Sequence, residues 1–217
     1  MDIFEIIGAT IGLFYIVSEY RANRWFWPCS LLMSAFYAVI EFASGIYANG
    51  IISCYNFLMS VYGLLVWRGI LLPSSRQDIK TSSPEDSKSR SLEVSKSPRQ
   101  ISSCPRRYRW QILVVIVLLS VVLTWVLDHF NQSIYTLPSG SIIRLSVLDG
   151  VSSALTIVGM AVLALKWWQH WLIWIVVEPL MIVIFMLTGN YASAGLYVVF
   201  EVFCILGIIK WRKESIS

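Results

Sequence analysis

The chain has 217 residues, of which 57% are hydrophobic and only 14% are charged, and its formal net charge is +4. Its mean hydropathy is +0.67. A soluble domain carries about a quarter charged residues, so this composition excludes an ordinary soluble protein and indicates a membrane protein. The basic residues gather mainly in one polar segment, so the positive charge is not a signal for nucleic-acid binding.

Seven apolar stretches follow one another, each about 18 to 21 residues long, which is enough to cross a hydrocarbon core of about 30 Å. Turn residues or charges bound each stretch. We therefore expect an all-α integral membrane protein with seven transmembrane helices. The predicted helices are Ile3–Tyr20, Trp25–Ala43, Tyr47–Trp67, Trp110–Leu127, Leu145–Leu165, Trp167–Leu187 and Tyr191–Trp211.

The apolar stretches divide the chain into four parts. Residues 1–67 form a first three-helix repeat, and residues 147–217 form a second. Residues 68–109 hold eleven Ser, four Pro and ten Lys or Arg, a composition that predicts a disordered linker. Residues 110–146 contain the linking fourth helix and an outer loop, in which Pro138-Ser139-Gly140 predicts a turn.

The basic residues are distributed unevenly between the two sides that seven crossings define. Sixteen Lys and Arg residues, ten of them in the linker, fall on one side, and only Arg144 falls on the other. Loops rich in Lys and Arg stay in the cytoplasm. We therefore expect an outside N-terminus, a cytoplasmic linker and a cytoplasmic C-terminus.

The chain also repeats itself at an offset of 144 residues. The offset matches residues that chance rarely aligns in apolar sequence, namely Trp27 with Trp171, Gly45 with Gly189, Tyr47 with Tyr191, Gly63 with Gly207 and Trp67 with Trp211. It also places Ser30 on Trp174 and Ser34 on Glu178. The single span between the two copies gives them the same orientation in the membrane, so we expect a 3+1+3 arrangement. We also expect a ligand site between the halves, which would offer it different side chains.

The sixth predicted helix contains the most unusual combination of residues. Trp171, Trp174 and Glu178 are spaced i, i+3, i+7 and share one helix face. Glu178 lies eleven residues beyond Trp167, roughly 16 Å along a helix and near the middle of a bilayer. A carboxylate at that depth costs several kcal/mol unless a polar or cationic group meets it. The pattern indicates a small-molecule site, and the alternative is a belt of interfacial tryptophans with a paired acid.

Those residues resemble the PnuC family of bacterial inner-membrane transporters. The similarity lies in Trp171-x-x-Trp174-x-x-x-Glu178, Gly189-Asn190-Tyr191 and Gly207-x-x-x-Trp211, and in their counterparts in the first half. The resemblance implies a SWEET-like fold and uptake of nicotinamide riboside by facilitated diffusion. It also implies trapping by a cytoplasmic kinase and a homotrimer. The family motif usually ends in Asn, sometimes in Asp, and here it ends in Glu178.

A flat cationic ring with a hydroxylated tail fits such a site. Aromatic faces attract cations, and a carboxylate balances the charge. The predicted binding residues are Trp171, Trp174, Glu178, Tyr197, Glu201, Asn56 and Tyr55, with helix packing as the alternative role for Tyr55 and Asn56. We expect Asp149 to act in gating or pairing, and Glu19 and Glu41 to be interfacial.

Two alternatives remain open from the sequence. Thiamine is also a flat cationic vitamin, and relatives in the family are assigned to it or to riboflavin. An intramembrane enzyme could use Asp149, Glu178 and Glu201 as acids, although no motif of a hydrolase or metalloprotease occurs. The four cysteines have no metal-ligand or redox spacing, so we expect neither a metal site nor a cofactor.

Overall fold

The computed structural model describes residues 3–43, 47–71 and 100–216. Gly45, the side chain of Glu41 and residues 72–99 of the predicted linker lie outside the described residues. The regular elements of the described chain are helices and one short hairpin of two antiparallel strands. The helices are α1 Ile3–Tyr20, α2 Phe26–Ala43, α3 Tyr47–Trp67, α4 Arg106–His129, α5 Ser146–Ala164, α6 His170–Leu187 and α7 Tyr191–Glu214, and the strands are β1 Ile134–Thr136 and β2 Ile142–Arg144.

Five helices in the described part of the chain are long and apolar enough to cross a membrane. They are α4, α5, α6, α7 and the segment Gly50–Trp67 of α3. The apolar part of α2, Phe26–Val39, is shorter than a full span. Many Leu, Ile, Val and Phe side chains on these helices are exposed, which suits contact with lipid.

Positions 144 residues apart make equivalent contacts in the two halves. A Cβ atom on Gly63 would overlap the ring of Trp27, and one on Gly207 would overlap the ring of Trp171. Each glycine therefore lets an indole lie flat against the neighbouring helix. The chain turns before α2 and α6 are also alike, because Ala22 and Lys166 both adopt a positive φ, of 51° and 50° respectively.

Five aromatic side chains form a layer at one end of the helices, which we call the aromatic layer. Its members are Phe26, Trp27, Trp67, Trp171 and Trp211. All five side chains are at most 3% exposed. The rings of Trp27 and Trp67 meet edge to face at 5.4 Å, and those of Trp171 and Trp211 do so at 5.9 Å. We call this end of the molecule the aromatic end, and the opposite end the hairpin end.

The aromatic layer also joins the two halves reciprocally. Trp67 donates its indole N–H to the carbonyl of Leu163 at 3.3 Å, at the end of α5. Trp211 donates to the carbonyl of Tyr20 at 3.0 Å, at the end of α1. In keeping with these bonds, α3 packs against α5 and α7 packs against α1.

The structure corrects one boundary of the predicted linker. Residues Ile101–Cys104, which we call the strap, are ordered, and α4 begins at Arg106 rather than at residue 110. Ser102 exchanges backbone hydrogen bonds with Lys166 and Trp168, at 3.0 and 3.1 Å. The side chain of Gln169 accepts from the backbone of the strap at 2.8 Å and donates to a strap serine at 2.7 Å. The strap therefore fixes the chain just before α6.

The predicted outer loop contains the hairpin, in which Ile134 pairs with Arg144 and Thr136 with Ile142. Its turn contains Gly140 with a φ of 80°, a conformation that favours glycine, as the turn signal predicted. Arg144 bonds to Asp128 at 2.6 Å and so joins the hairpin to the end of α4.

Candidate functional site

A central cavity lies between the two halves, on the hairpin side of the aromatic layer. It has two connected lobes, with volumes of about 500 and 610 Å³. Helices α1, α2, α3, α5, α6 and α7 all contribute to the wall that the lobes share. The shared lining residues are Tyr15, Tyr37, Ser53, Asn56, Thr156, Trp174, Phe185, Asn190, Tyr197 and Phe200.

Glu178 lies in the wall of the larger lobe with a side chain only 6% exposed. One of its carboxylate oxygens, Oε2, is buried and has no hydrogen-bond partner among the described residues. A buried carboxylate without a partner is costly, and a ligand that supplies a donor or a positive charge would remove that cost. The sequence prediction that Glu178 lies at an internal site therefore agrees with its position.

Trp174, one turn before Glu178, also lines both lobes. Its ring packs over Gly159 of α5, and its indole N–H donates to Glu19 Oε1 at 2.8 Å. This bond holds the ring at one orientation in the cavity wall. An aromatic face and a carboxylate are therefore presented to the cavity from the same helix.

The expectation that Glu19 is interfacial is wrong. Its side chain is only 2% exposed, lies in the cavity lining and contacts α6. The position of Glu19, one residue before the end of α1, suggested an interface. The partners that bury it lie in the other half of the chain and could not be identified from local sequence.

Trp171 was expected to face the ligand, but it is not among the residues that line the cavity. It is fully buried in the aromatic layer, against Gly207 and Trp211. Helical side chains lean towards the N-terminus, so an indole in the first turn of α6 lies over the beginning of the helix. Trp171 thus closes the floor beneath the cavity.

The other predicted binding residues separate into two groups. Tyr197 and Asn56 line both lobes, and Asn56 Oδ1 is buried without a described hydrogen-bond partner. Tyr55 lies outside the central cavity, where its hydroxyl donates to the carbonyl of Ile157 at 2.8 Å. Glu201 is not among the lining residues either, although its Oε2 is buried and without a described partner.

Asp149 lies at the hairpin end of the larger lobe and accepts a hydrogen bond from the hydroxyl of Tyr135 at 2.8 Å. Burial and the neighbouring Asp149 carboxylate raise the pKa of Tyr135 well above its usual value, so its hydroxyl keeps its proton. Pro138, at the tip of the hairpin, lies against Gly189 at the end of α6. The hairpin therefore lies beside the cavity at this end, and its Tyr135 pairs with Asp149 there.

The electrostatic character of the cavity is acidic. Its described lining residues include Glu19, Asp149 and Glu178 but no Lys or Arg. Such a lining favours a ligand with a positive charge and hydroxyl groups, and it repels a phosphate. No group of three or more potential metal ligands occurs in the part of the chain that the structure describes.

The sequence profile described as nicotinamide mononucleotide transporter matches residues 2–213, almost the whole chain. The chain belongs to this family. The predicted resemblance is therefore confirmed, and the membrane location follows from the family together with the apolar helices.

Two relatives in this transporter family are similar to the chain over nearly its full length. The nicotinamide riboside transporter PnuC of Escherichia coli strain K12 is 22% identical over 216 residues, which cover 97% of this chain and 85% of that protein. The nicotinamide riboside transporter PnuC of Shigella flexneri gives the same values. The structure is also similar to the crystal structure of the vitamin B3 transporter PnuC, with a TM-score of 0.67 and 17% identity, covering 97% of this chain and 81% of that one. At that identity the structural likeness establishes the fold.

Proposed function

We propose that this chain transports nicotinamide riboside across a membrane. The observation that carries the proposal is the buried Glu178 Oε2, which has no hydrogen-bond partner among the described residues and lines the same cavity wall as Trp174. The names of the two PnuC relatives support the choice of ligand. The comparisons favour neither thiamine nor an intramembrane enzyme that uses Asp149, Glu178 and Glu201.

The proposed ligand has a pyridinium ring and a ribose, which match two kinds of group in the cavity. The ring would lie against Trp174, with its positive charge balanced by Glu178. Asn56 and Tyr197, which line the same lobes, would meet the ribose hydroxyls. The phosphate of nicotinamide mononucleotide would lie among carboxylates without a described basic partner, so we propose the riboside rather than the nucleotide.

A binding titration of the purified protein tests this choice. We expect nicotinamide riboside to bind, with weaker binding of thiamine and little binding of neutral riboflavin or of nicotinamide mononucleotide. Equal binding of the riboside and its phosphate would contradict the charge argument. Tight riboflavin binding would assign the cavity to a different vitamin.

We also propose that the helices form seven spans in a 3+1+3 parallel repeat, with α4 as the linking span. The equivalent Trp–Gly contacts 144 residues apart and the reciprocal bonds of Trp67 and Trp211 support this arrangement. In a bacterial inner membrane, the N-terminus would be outside and the C-terminus cytoplasmic, because Lys and Arg fall on the aromatic side. A cysteine introduced at Ser89 should resist a membrane-impermeant reagent added outside intact cells, and strong labelling would reverse the orientation.

For the mechanism, we propose facilitated diffusion with trapping of the product by a cytoplasmic kinase, in a homotrimer. Protein in liposomes should equilibrate nicotinamide riboside without ATP or an ion gradient. Accumulation driven by an imposed proton or sodium gradient would instead indicate coupled transport. A mass measurement of the purified protein in nanodiscs tests the homotrimer, which should contain three copies of the chain.

A further inference from the structure

Three polar side chains from the two halves meet at the floor of the cavity. Glu19 of α1 accepts from the indole of Trp174 at 2.8 Å, and His170 Nε2 lies 3.4 Å from the same carboxylate oxygen. All three side chains are buried, with exposures of 2%, 8% and 0% for Glu19, Trp174 and His170. We call these three residues the floor cluster.

The ring of His170 has polar neighbours on both sides. Its Nδ1 lies 2.8 Å from the carbonyl of Trp167, and a carbonyl can only accept, so Nδ1 carries a hydrogen. Nε2 on the other side of the ring faces the Glu19 carboxylate at 3.4 Å without forming a hydrogen bond. Glu19 therefore has two polar neighbours within the protein, whereas Glu178 Oε2 has no hydrogen-bond partner among the described residues.

The floor cluster lies between the cavity and the aromatic layer. His170 is packed against two members of that layer, with ring distances of 4.7 Å to both Trp171 and Trp211. The layer is almost completely buried, so a ligand leaving towards the aromatic end must separate the helices there. The cluster joins α1 to α6, and its bonds would break in that separation.

We propose that Glu19 is the latch of the gate at the aromatic end, and not the counter-charge of the ligand. Its hydrogen bond from Trp174 and its contact with His170 hold α1 against α6 while the cavity is closed on that side. Opening of the gate breaks both contacts. The inference rests on the proposed transport function, because only a transporter must open this end.

The chain contains a matched control for this idea. At the offset of 144 residues, His170 corresponds to Phe26, whose ring lies 4.9 Å from Trp27 and 6.3 Å from Trp67. A phenyl ring is thus already accommodated at the equivalent place in the other half. His170→Phe should preserve the aromatic packing and the hydrogen bond from Trp174, and remove only the ring nitrogen that faces Glu19.

The test measures access to the cavity from the aromatic end. A cysteine at Ser30, which is buried and lines the cavity, is introduced after the four native cysteines are replaced by serine. A membrane-impermeant thiol reagent is then applied from that side to oriented vesicles. We expect His170→Phe and Glu19→Ala to label about tenfold faster than the parent, which corresponds to about 1.4 kcal/mol.

Glu19→Gln should give a smaller increase, because its amide oxygen still accepts from the indole of Trp174. Asp128→Asn removes an exposed acid at the opposite end and should label as slowly as the parent. Unchanged labelling of both Glu19→Ala and His170→Phe would overturn the latch. This readout needs no ligand, so it is independent of whether nicotinamide riboside is the substrate.

A second measurement separates the latch from a ligand contact. Purified His170→Phe and Glu19→Gln should lose far less affinity for nicotinamide riboside than Glu178→Gln does. If Glu19→Gln lost as much affinity as Glu178→Gln, Glu19 would be part of the ligand site and the latch would be refuted. If the parent itself did not bind the riboside, the proposed ligand would fail while the labelling result still stood.

Discussion

Replacing Glu178 by Gln should weaken binding of nicotinamide riboside without weakening the fold. The substitution keeps the size of the side chain and removes its charge. In the empty protein, Glu178 Oε2 has no described partner and the side chain is 6% exposed, so no described contact is lost. Removing an unpaired buried charge should leave the melting temperature unchanged or raise it.

The loss in binding can be estimated from the interaction that the ligand would make. An interaction with a charged group in a protein contributes about 1.5 to 3 kcal/mol. Each 1.4 kcal/mol is a tenfold change in Kd, so the variant should bind about 10 to 150 times more weakly. Isothermal titration of the detergent-purified protein measures Kd, and a thermal shift on the same sample measures stability.

Glu201→Gln is the matched control, because it removes a second carboxylate, partly exposed but with Oε2 buried, that does not line the cavity. Its affinity should stay within a small factor of the parent. Unchanged affinity of Glu178→Gln would show that this carboxylate does not balance the ligand charge. Equal losses in both variants would show a general electrostatic effect and refute the specific contact.

Three further substitutions or deletions test the frame around the cavity. Gly207→Ala places a methyl group into the ring of Trp171 and should lower the free energy of unfolding by about 1 to 3 kcal/mol, measured by thermal unfolding. The control is Gly195→Ala, which has open space around it and should leave the stability unchanged. Gln169→Ala removes two hydrogen bonds to the strap, about 1 to 3 kcal/mol in all, and should increase hydrogen exchange there. Deletion of residues 74–98 should leave stability and transport unchanged, since this polar segment lacks the apolar residues of a core, and a loss of either would assign it a role.

Much of the fold could be predicted because the signals are local and repeated. The lengths of the apolar stretches predicted the ends of the helices to within a few residues. The strongest matches in the repeat were Trp residues aligned with Trp and Gly residues aligned with Gly. Trp27 and Trp171 pack on the glycines that the same offset relates, so the residues that the repeat matches are packing residues in both halves. The strap was missed because the average composition of residues 68–109 is polar and concealed the two apolar residues near its end, Ile101 and Cys104, which are partly buried and buried.

The candidate site was predictable only in part. Helical spacing placed Trp174 and Glu178 on one face, and both line the cavity. The same spacing also placed Trp171 on that face, although it does not line the cavity. Periodicity predicts the direction in which a side chain leaves its helix, but not whether a neighbouring helix covers the side chain at that position along the axis. Glu19 was missed because its partners are in the other half of the chain. Tyr55 was predicted for the site but lies outside the central cavity, where its hydroxyl donates to a carbonyl of α5.

The strap has a consequence for which parts of the molecule can move together. It attaches the beginning of α4 to the turn between α5 and α6, and Asp128 attaches the other end of α4 to the hairpin through Arg144. Helix α4 also packs along α5. Although α4 is mostly exposed, it is therefore tethered at both ends and along its length to the same neighbours. These contacts connect α4 to the half of the chain that contains Glu178.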